Sequence, residues 1–475
     1  MTGALELAAF AVFVYFALYN LCTFALLALS FGEMSWLVRG RQPGRSGLRP
    51  LAHRPGVSVL VPAYDEEDVV VASASALLAQ EYEPLEVVVV DDGSRDRTFE
   101  RLERAFDLVP LPLGGGFPLP SERVRALYAS RVEPRLRVVR KDNGGRADAL
   151  NAGLGIVRHD LVAVTDADGI LEPDAIARAL RPFEEHPDDC VAAAGNVRVV
   201  NASEIAEGRV VAPRVSPSGL EATQVLEYLR GFLGVRIAWS RVNGLAIVSG
   251  AFGLFRRDTL VAVGGFLRGS LSEDLESTVR LHRELRPRWP SARVAFAPDA
   301  VCWTQAPDTF AGLRSQRVRW QAGLLETLRL HAGMLGRRRY GAVGTVALPY
   351  ALLFEALSAV IEVTGYAVVI ALVVLEPSRW PFLVAFLVVS LLFGQVQSLL
   401  ALLIEETGFR RYGRAGMARL VGWSLVEMLW FRPLVTLWRA WATLALLVGR
   451  RPGWGTVPRR ALGESPGEGV VPLLR

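Results

Sequence analysis

Aspartates close the apolar runs in the first half of this chain. Asp65 ends VSVLVPAYDEE (57–67), Asp91 and Asp92 end LEVVVVDDGS (85–94), and Asp166 and Asp168 end the apolar part of DLVAVTDADGILEPDAI (160–176). Taken singly, each has an ordinary reading as a loop carboxylate or helix N-cap, Asp65 and Asp96 above all. Acids at three strand ends together are harder to explain that way. In Asp166-Ala167-Asp168 the two carboxylates leave the strand as alternate residues, which point to the same side. Two converging carboxylates suit a hard divalent cation that keeps water or phosphate oxygens as its remaining ligands. Further on, Glu273 and Asp274 follow Ser270-Leu271-Ser272, a spacing that also reads as a capping box, with acids favoured at the start of a helix. Gln316, Arg319 and Trp320 stand at i, i+3 and i+4 and share one helix face. An ordinary surface helix would put that tryptophan in the core and the arginine in water.

The elements that must carry these residues follow from the apolar pattern. Runs that are apolar on both faces alternate with helix-length segments, and RLRVVRKDNGGRADALNAGL (135–154) reads as strand, glycine turn and helix start. That alternation implies a parallel sheet covered on both sides. Ligands of such sheets bind at the carboxyl ends of the strands, where the aspartates lie. Between about 55 and 335 no run is long enough to cross a bilayer. Segment 221–241 has helical period with alternating apolar and basic residues and reads as a helix lying on a membrane surface, with ordinary domain packing the alternative. The Gly/Pro-rich stretch 109–120 is a loop with no assigned role.

The flanks are different. The chain has 475 residues, 51% hydrophobic and 21% charged, with a mean hydropathy of +0.29. That composition excludes a disordered chain, and its 53 basic and 48 acidic side chains exclude a bare bundle of spans. A net charge of +5 is small for this length and does not suggest nucleic acid as a partner. Lys141 is the single lysine. Cys22, Cys190 and Cys302 have no metal-ligand or disulfide spacing, which fits a reducing compartment. Residues 5–31 form an apolar run long enough to span. Arg39, Arg41, Arg45, Arg49 and Arg54 follow it with no acid among them, which puts that end in the cytoplasm. Runs at 343–374 and 379–403 read as two more spans, returned to the cytoplasm by Arg410, Arg411, Arg414 and Arg419. Segment 420–448, broken by Arg432-Pro433, is expected to form a re-entrant or interfacial hairpin, because a full span would leave Arg450, Arg451, Arg459 and Arg460 outside. The expected organisation is an N-terminal transmembrane helix (1–38), a cytoplasmic α/β domain (39–335), C-terminal transmembrane and interfacial helices (336–448) and a cytoplasmic tail (449–475).

At this point the motifs carry a family resemblance. PAYDEE (62–67), VVDDGSRD (89–96), NGGRADALN (143–151), the Asp-Ala-Asp at 166–168, SGAFGLFRR (249–257), Ser-Glu-Asp at 272–274 and Gln316-Arg317-Val318-Arg319-Trp320 occur in one order. In that order the chain resembles the membrane-integrated family-2 glycosyltransferases, the processive cellulose, chitin, hyaluronan and poly-N-acetylglucosamine synthases. The resemblance covers roughly 55–335 and extends to the flanking helices. It implies a GT-A type nucleotide-sugar-binding domain. In it Asp65 and Asp92, with Asp91 beside them, hold base and ribose, and Mg2+ or Mn2+ sits on Asp168 supported by Asp166. It implies that Lys141 and Arg146 meet the diphosphate beside Gly144-Gly145. Relatives more often have lysine where Arg146 stands, so a fork replaces a point charge. Asp274 matches the general base, and Glu273 and Gln316 join the substrate-binding set. Ser272 stands where relatives tend to have threonine or glycine. Trp320 would stack on the acceptor sugar, Arg319 would contact diphosphate, and Phe252, Phe255 and Arg256 would line the acceptor side, with core packing the alternative.

The implied activity is inverting, processive polymerisation of a β-linked polysaccharide from UDP-N-acetylglucosamine or UDP-glucose at the cytoplasmic face of the cell membrane. The implied partners are the donor, the growing chain, the bilayer and export or accessory membrane proteins. The runner-up is transfer of a single sugar to a lipid carrier. A transporter or scaffold with a decayed domain is disfavoured by the intact acidic motifs.

Overall fold

The computed structural model describes residues 2–40, 54–114 and 117–450. Arg41, Arg45 and Arg49 of the basic cluster, residues 115–116 of the expected 109–120 loop, and Arg451, Arg459 and Arg460 with the rest of the tail lie outside the described residues; residues 109–111 of that expected loop are strand instead, because they pair with 127–129. In chain order the strands are β1 (Val57–Ala63), β2 (Leu85–Asp91), β3 (Leu108–Leu111), β4 (Val124–Ser130), β5 (Leu136–Lys141), β6 (Leu161–Thr165), β7 (Ile170–Leu171), β8 (Cys190–Val199), β9 (Glu204–Ala206), β10 (Arg209–Ala212), β11 (Phe252–Arg256) and β12 (Arg293–Thr304). Ten of them form one sheet in the order β3-β4-β5-β2-β1-β6-β11-β8-β12-β7, and β9 and β10 form a separate hairpin.

The central strands β5-β2-β1-β6 are parallel, with Val57 opposite both Leu85 and Leu161 and Val87 opposite Leu136. Alternate residues serve opposite faces, which is why these runs are apolar throughout. Val57, Val59, Val61, Val87 and Val89 pack with Leu77, Phe99 and Leu102 on one side, while Leu60, Val88, Val90 and Val139 pack with Leu150 and Leu154 on the other. Each such side chain contributes about 1.5–3 kcal/mol by leaving water. The expected parallel arrangement holds for this core; β11 enters antiparallel between β6 and β8, and β3 and β4 add an antiparallel edge, so the whole sheet is mixed. The insertion of β11 matters for the site, because it brings the 249–251 segment beside the end of β6. Thr165 Oγ1 donates to the Ala251 carbonyl at 2.9 Å.

Among the described residues, four helices are long and apolar enough to cross a membrane: Gly3–Arg39, Ser358–Leu375, Pro377–Gly408 and Gly413–Leu447. The first lies against the second and third, with Gln397 Nε2 donating to Asn20 Oδ1 at 2.9 Å and Arg379 paired with Glu6. The run expected at 343–374 divides: 343–357 is a series of short helical turns, and the helix long enough to span begins at Ser358. The expected hairpin at 420–448 is not formed. Gly413–Leu447 is one continuous helix with Pro433 inside it. Its charges have partners that allow this. Glu427 pairs with Arg230 at 2.9 Å, Arg432 lies 3.8 Å from Glu362, and Arg439 Nε donates to Gln321 Oε1 at 2.9 Å. The helix runs along the domain, with Trp430 meeting Phe310 (centroids 6.4 Å apart) and Arg314 lying over Trp441.

Domain and bundle are also joined by ion pairs, one buried and one half-buried. Arg198 on β8 meets Glu405 at 2.6 Å, both almost fully buried, and Arg411 clasps Glu172 with one contact at 2.9 Å. Glu172 lies just past β7, four residues beyond Asp168, so the loop that carries Asp166 and Asp168 is tied to the end of the helix Pro377–Gly408.

Candidate active site

The strand-end acids do gather at one edge of the sheet. Asp65 holds a left-handed φ of 55° at the end of β1, and its Oδ1 accepts from the Arg95 amide at 2.7 Å. Asp91 is buried and accepts from the Ser94 amide at 3.0 Å. Asp96 accepts from the amide and hydroxyl of Thr98 and from the Glu67 amide, the turn-tying role its ordinary reading assigns.

Asp92 and Lys141 differ from the sequence expectation. The Asp92 carboxylate accepts from Lys141 Nζ at 2.5 Å, the Gly144 amide at 3.1 Å and the Gly145 amide at 2.7 Å. Lys141 Nζ also meets Asp148 at 2.6 Å, and neither side chain is exposed. Burial raises the Asp92 pKa against the opposing pull of Lys141 and the two amides. The lysine expected at the diphosphate is therefore enclosed between two carboxylates, where it fixes the glycine turn to the end of β2. The physical reason is that a fully desolvated ammonium needs paired counter-charges, and Asp92 and Asp148 supply them.

Arg146, the first residue of the helix that follows, is held in three directions. Its Nε and Nη2 reach Asp166 Oδ1 at 2.9 and 2.8 Å, its Nη1 pairs with Glu273, and its Nη2 donates to the Gly250 carbonyl at 2.7 Å. Gly250 in turn gives its amide to Asp274 Oδ2 at 3.0 Å. Asp274 Oδ1 accepts from the Ser272 hydroxyl at 2.9 Å and the Leu275 amide at 2.8 Å. The capping box does not form: Glu273 opens its helix but turns to Arg146, and Ser270 Oγ faces Glu326 and the Ser272 amide. Burial raises the Glu273 pKa; Arg146 lowers it and Asp274 adds to the rise. A single guanidinium thus joins Asp166, Glu273 and, through the backbone of Gly250, Asp274.

Asp166 and Asp168 both lie near Cys302, whose buried thiol they help to push well up. Among the described residues no group of three or more His, Cys, Asp or Glu side chains is arranged to hold a metal ion. Two hard carboxylates on alternate residues nevertheless fit Mg2+ or Mn2+ whose remaining ligands come from phosphate and water. Asp168 is buried and Asp166 is already engaged by Arg146, so a cation would share Asp166 with the guanidinium.

Gln316, Arg319 and Trp320 share one half-buried face of the helix Phe310–Leu330. Gln316 Oε1 accepts from Arg317 at 2.7 Å, and Arg317 pairs with Glu227 and lies 4.2 Å over the Trp320 ring. Arg319 is near enough to Tyr228 to lower its pKa, which burial raises. Trp320 faces Tyr228 and Phe232, at 6.4 and 6.2 Å between centroids, and those two rings stack at 4.6 Å. Helix 219–241 therefore supplies an aromatic wall. Sequence reasoning treated that segment as a membrane-surface helix and missed Tyr228, Phe232 and Arg236. Their spacing at i, i+4 and i+8 was the legible signal. Phe252 and Phe255, by contrast, are core residues at 0% and 2% exposure, and Arg256 donates to the carbonyls of Cys190 and Pro187. They do not line an acceptor site, because β11 is an inner strand with both faces covered.

Comparison with known proteins agrees with this architecture. Residues 58–117 match the model "Glycosyl transferase family 2" and residues 122–323 match "Glycosyltransferase like family 2". Over 312 residues, 65% of this chain, it is 28% identical to the poly-beta-1,6-N-acetyl-D-glucosamine synthase of Staphylococcus aureus strain MSSA476, covering 62% of that protein. With the synthase of the same name from Staphylococcus epidermidis it is 27% identical over 274 residues, 58% of this chain and 55% of that one. The match thus spans about three-fifths of these relatives' length or less. A mannosyltransferase from Pyrobaculum calidifontis, solved with GDP-Man and Mn2+, superposes with a TM-score of 0.52 at 18% identity, covering 93% of this chain and all of that one, a likeness of fold.

Proposed function

The chain belongs to the family-2 glycosyltransferases, and on that premise we propose that it is an inverting, metal-dependent, processive synthase that extends a β-linked polysaccharide from UDP-N-acetylglucosamine. The acetamido sugar is favoured by the likeness to the staphylococcal synthases. The observation that carries the reading is the Gly250 bridge, one residue whose N–H meets Asp274 and whose carbonyl meets Arg146. Through it the base and the acids at the end of β6 are held in fixed relation, as transfer between two bound sugars requires.

In the proposed reaction an acceptor hydroxyl attacks the anomeric carbon from the side opposite UDP. The new O–C1 bond forms as the C1–phosphate bond breaks, the proton passes to Asp274, and UDP leaves with the bonding pair. The Gly250 amide and the Ser272 hydroxyl orient the carboxylate for that transfer. Asp65, Asp91 and Asp92 border the nucleotide side, with Asp92 acting through the glycine turn it holds. Mg2+ or Mn2+ on Asp168 and Asp166 would neutralise the charge that develops on the departing diphosphate. Trp320 would stack on the acceptor, with the helix Phe310–Leu330 leading toward the bundle. The bundle would carry the product outward, and the domain would face the cytoplasm because Arg54, Arg410, Arg411, Arg414 and Arg419 lie at its end of the spans.

The test is incubation of membranes containing the chain with a panel of radiolabelled UDP-sugars. The expected result is high-molecular-weight product from UDP-N-acetylglucosamine. Label confined to a lipid-linked monosaccharide would favour the single-transfer alternative, UDP-glucose alone would correct the donor, and no incorporation would overturn the reading.

A further inference from the structure

Helix 219–241 contains a cation for which neither the base nor the acid cluster accounts. Arg236 is 5% exposed, forms no ion pair among the described residues, and its shielded Nη1 has no hydrogen-bond partner there. Three other buried arginines are tied to carboxylates, Arg198 to Glu405, Arg137 to Glu86 and Arg317 to Glu227, and a fourth, Arg286, donates to the Pro290 and Ala292 carbonyls. Arg236 instead lies over the ring of Phe232, 4.3 Å from its centre. The titratable groups that face it are Asp274, Tyr228 and Glu355. Burial pulls its pKa down to about 10 against the raising influence of all three, so it remains a cation at neutral pH.

The backbone here is unusual as well. Between Tyr228 and Val235 the helix widens into a π-helical turn, Leu229–Gly234. Such turns inside α-helices recur at functional sites, because the extra residue re-aims the side chains that follow. Here it brings Phe232 beside Trp320 and Arg236 toward Asp274. A buried cation with no carboxylate in contact is costly, and a fold that keeps one presents a donor to a group that arrives from outside.

We propose that Arg236 is an acceptor-binding residue, whose unpaired Nη1–H donates to an oxygen of the terminal acceptor sugar held between Trp320 and Asp274. The proposal rests on the transferase reading given above. It specifies the ligand class: a sugar that offers a hydroxyl or an acetamido carbonyl as hydrogen-bond acceptor. A cationic sugar, such as one with a free amine at this position, is repelled. Because the donor is charged and shielded from water, the contact is stronger than a surface hydrogen bond and acts on acceptor binding, away from the nucleotide.

The experiment uses the full chain in detergent micelles with UDP-N-acetylglucosamine as donor and N-acetylglucosamine as titrated acceptor, and follows UDP release. Arg236→Met and Arg236→Lys are compared with the unaltered chain for acceptor KM, UDP affinity by calorimetry, and melting temperature. Arg236→Met is expected to raise the acceptor KM about 10-fold or more, keep UDP affinity within about twofold, and leave the melting temperature equal or higher. Arg236→Lys is expected to recover part of the KM. An acceptor KM within about twofold of the unaltered value in both variants overturns the assignment. So does a parallel loss of UDP affinity and melting temperature, which would mark a purely structural arginine. If the unaltered chain transfers nothing to N-acetylglucosamine or to endogenous polymer, the transferase reading itself fails, an outcome distinct from transfer with an unmoved KM.

Discussion

Gly250→Ala tests the junction between Arg146 and Asp274. A Cβ at position 250 would stand 2.8 Å from Arg146 Nη2, 2.9 Å from Nη1 and 3.0 Å from the guanidinium carbon. Gly250 has no positive φ, so alanine adds no backbone strain, and its amide can still reach Asp274. The guanidinium must retreat by about 0.6 Å, which stretches its 2.7 Å bond to the Gly250 carbonyl to about 3.3 Å, beyond the usual range and much weakened. Losing a hydrogen bond to a charged group costs about 1.5–3 kcal/mol. If that organisation is needed only as the bond to UDP breaks, kcat/KM should fall by about 10- to 150-fold with UDP affinity little changed. The assay is UDP release by the purified full chain, with calorimetric UDP titration beside it. A second variant isolates the cause. In an Arg146→Lys background the narrower side chain leaves room for the methyl, so Gly250→Ala should cost less than about twofold there. Wild-type kcat/KM in Gly250→Ala, or additive losses in the double variant, would refute the idea that position 250 acts through Arg146.

Three further outcomes are expected. Asp274→Asn should abolish polymer formation while keeping UDP affinity within about twofold, since the carboxamide retains the shape but not the basicity; turnover at the unaltered rate would remove Asp274 as the base. Asp168→Ala should weaken the Mg2+- or Mn2+-dependent part of UDP binding, seen by calorimetry with and without metal, and superimposable titrations would count against the metal assignment. Glu405→Gln leaves Arg198 buried and unpaired and should lower stability by about 3–5 kcal/mol, read as a reduced melting temperature in detergent; an unchanged melting temperature would show that this pair does not tie the domain to the helix Pro377–Gly408.

Much of the molecule was legible before folding because the signals are local. A run such as LEVVVV is apolar on both faces only if both faces are covered, and an acid where the run stops must lie at a strand end. The order of Asp92, Asp166, Asp274 and Trp320 along the chain therefore announced a sheet with acids at one edge and a family to match. The apolar lengths of the first three helices long enough to span were equally plain. Charge partnership was not, because it depends on which side chains distant segments bring within a few ångströms. Lys141 reads as a phosphate ligand beside two glycines until Asp148, from the following helix, closes over it. Arg146 reads the same way until β11 inserts beside β6 and delivers Gly250. Pro433 and its neighbouring charges read as a break until Arg230, Glu362 and Gln321 supply partners that let the helix continue. Arg236 is the extreme case: its sequence context shows an amphipathic helix, and only the assembled core shows a buried cation with no ion pair in contact among the described residues. Periodicity is a property of neighbours in the chain and is fixed by backbone geometry, whereas desolvation and ion pairing are properties of neighbours in space and are decided only when the layers close.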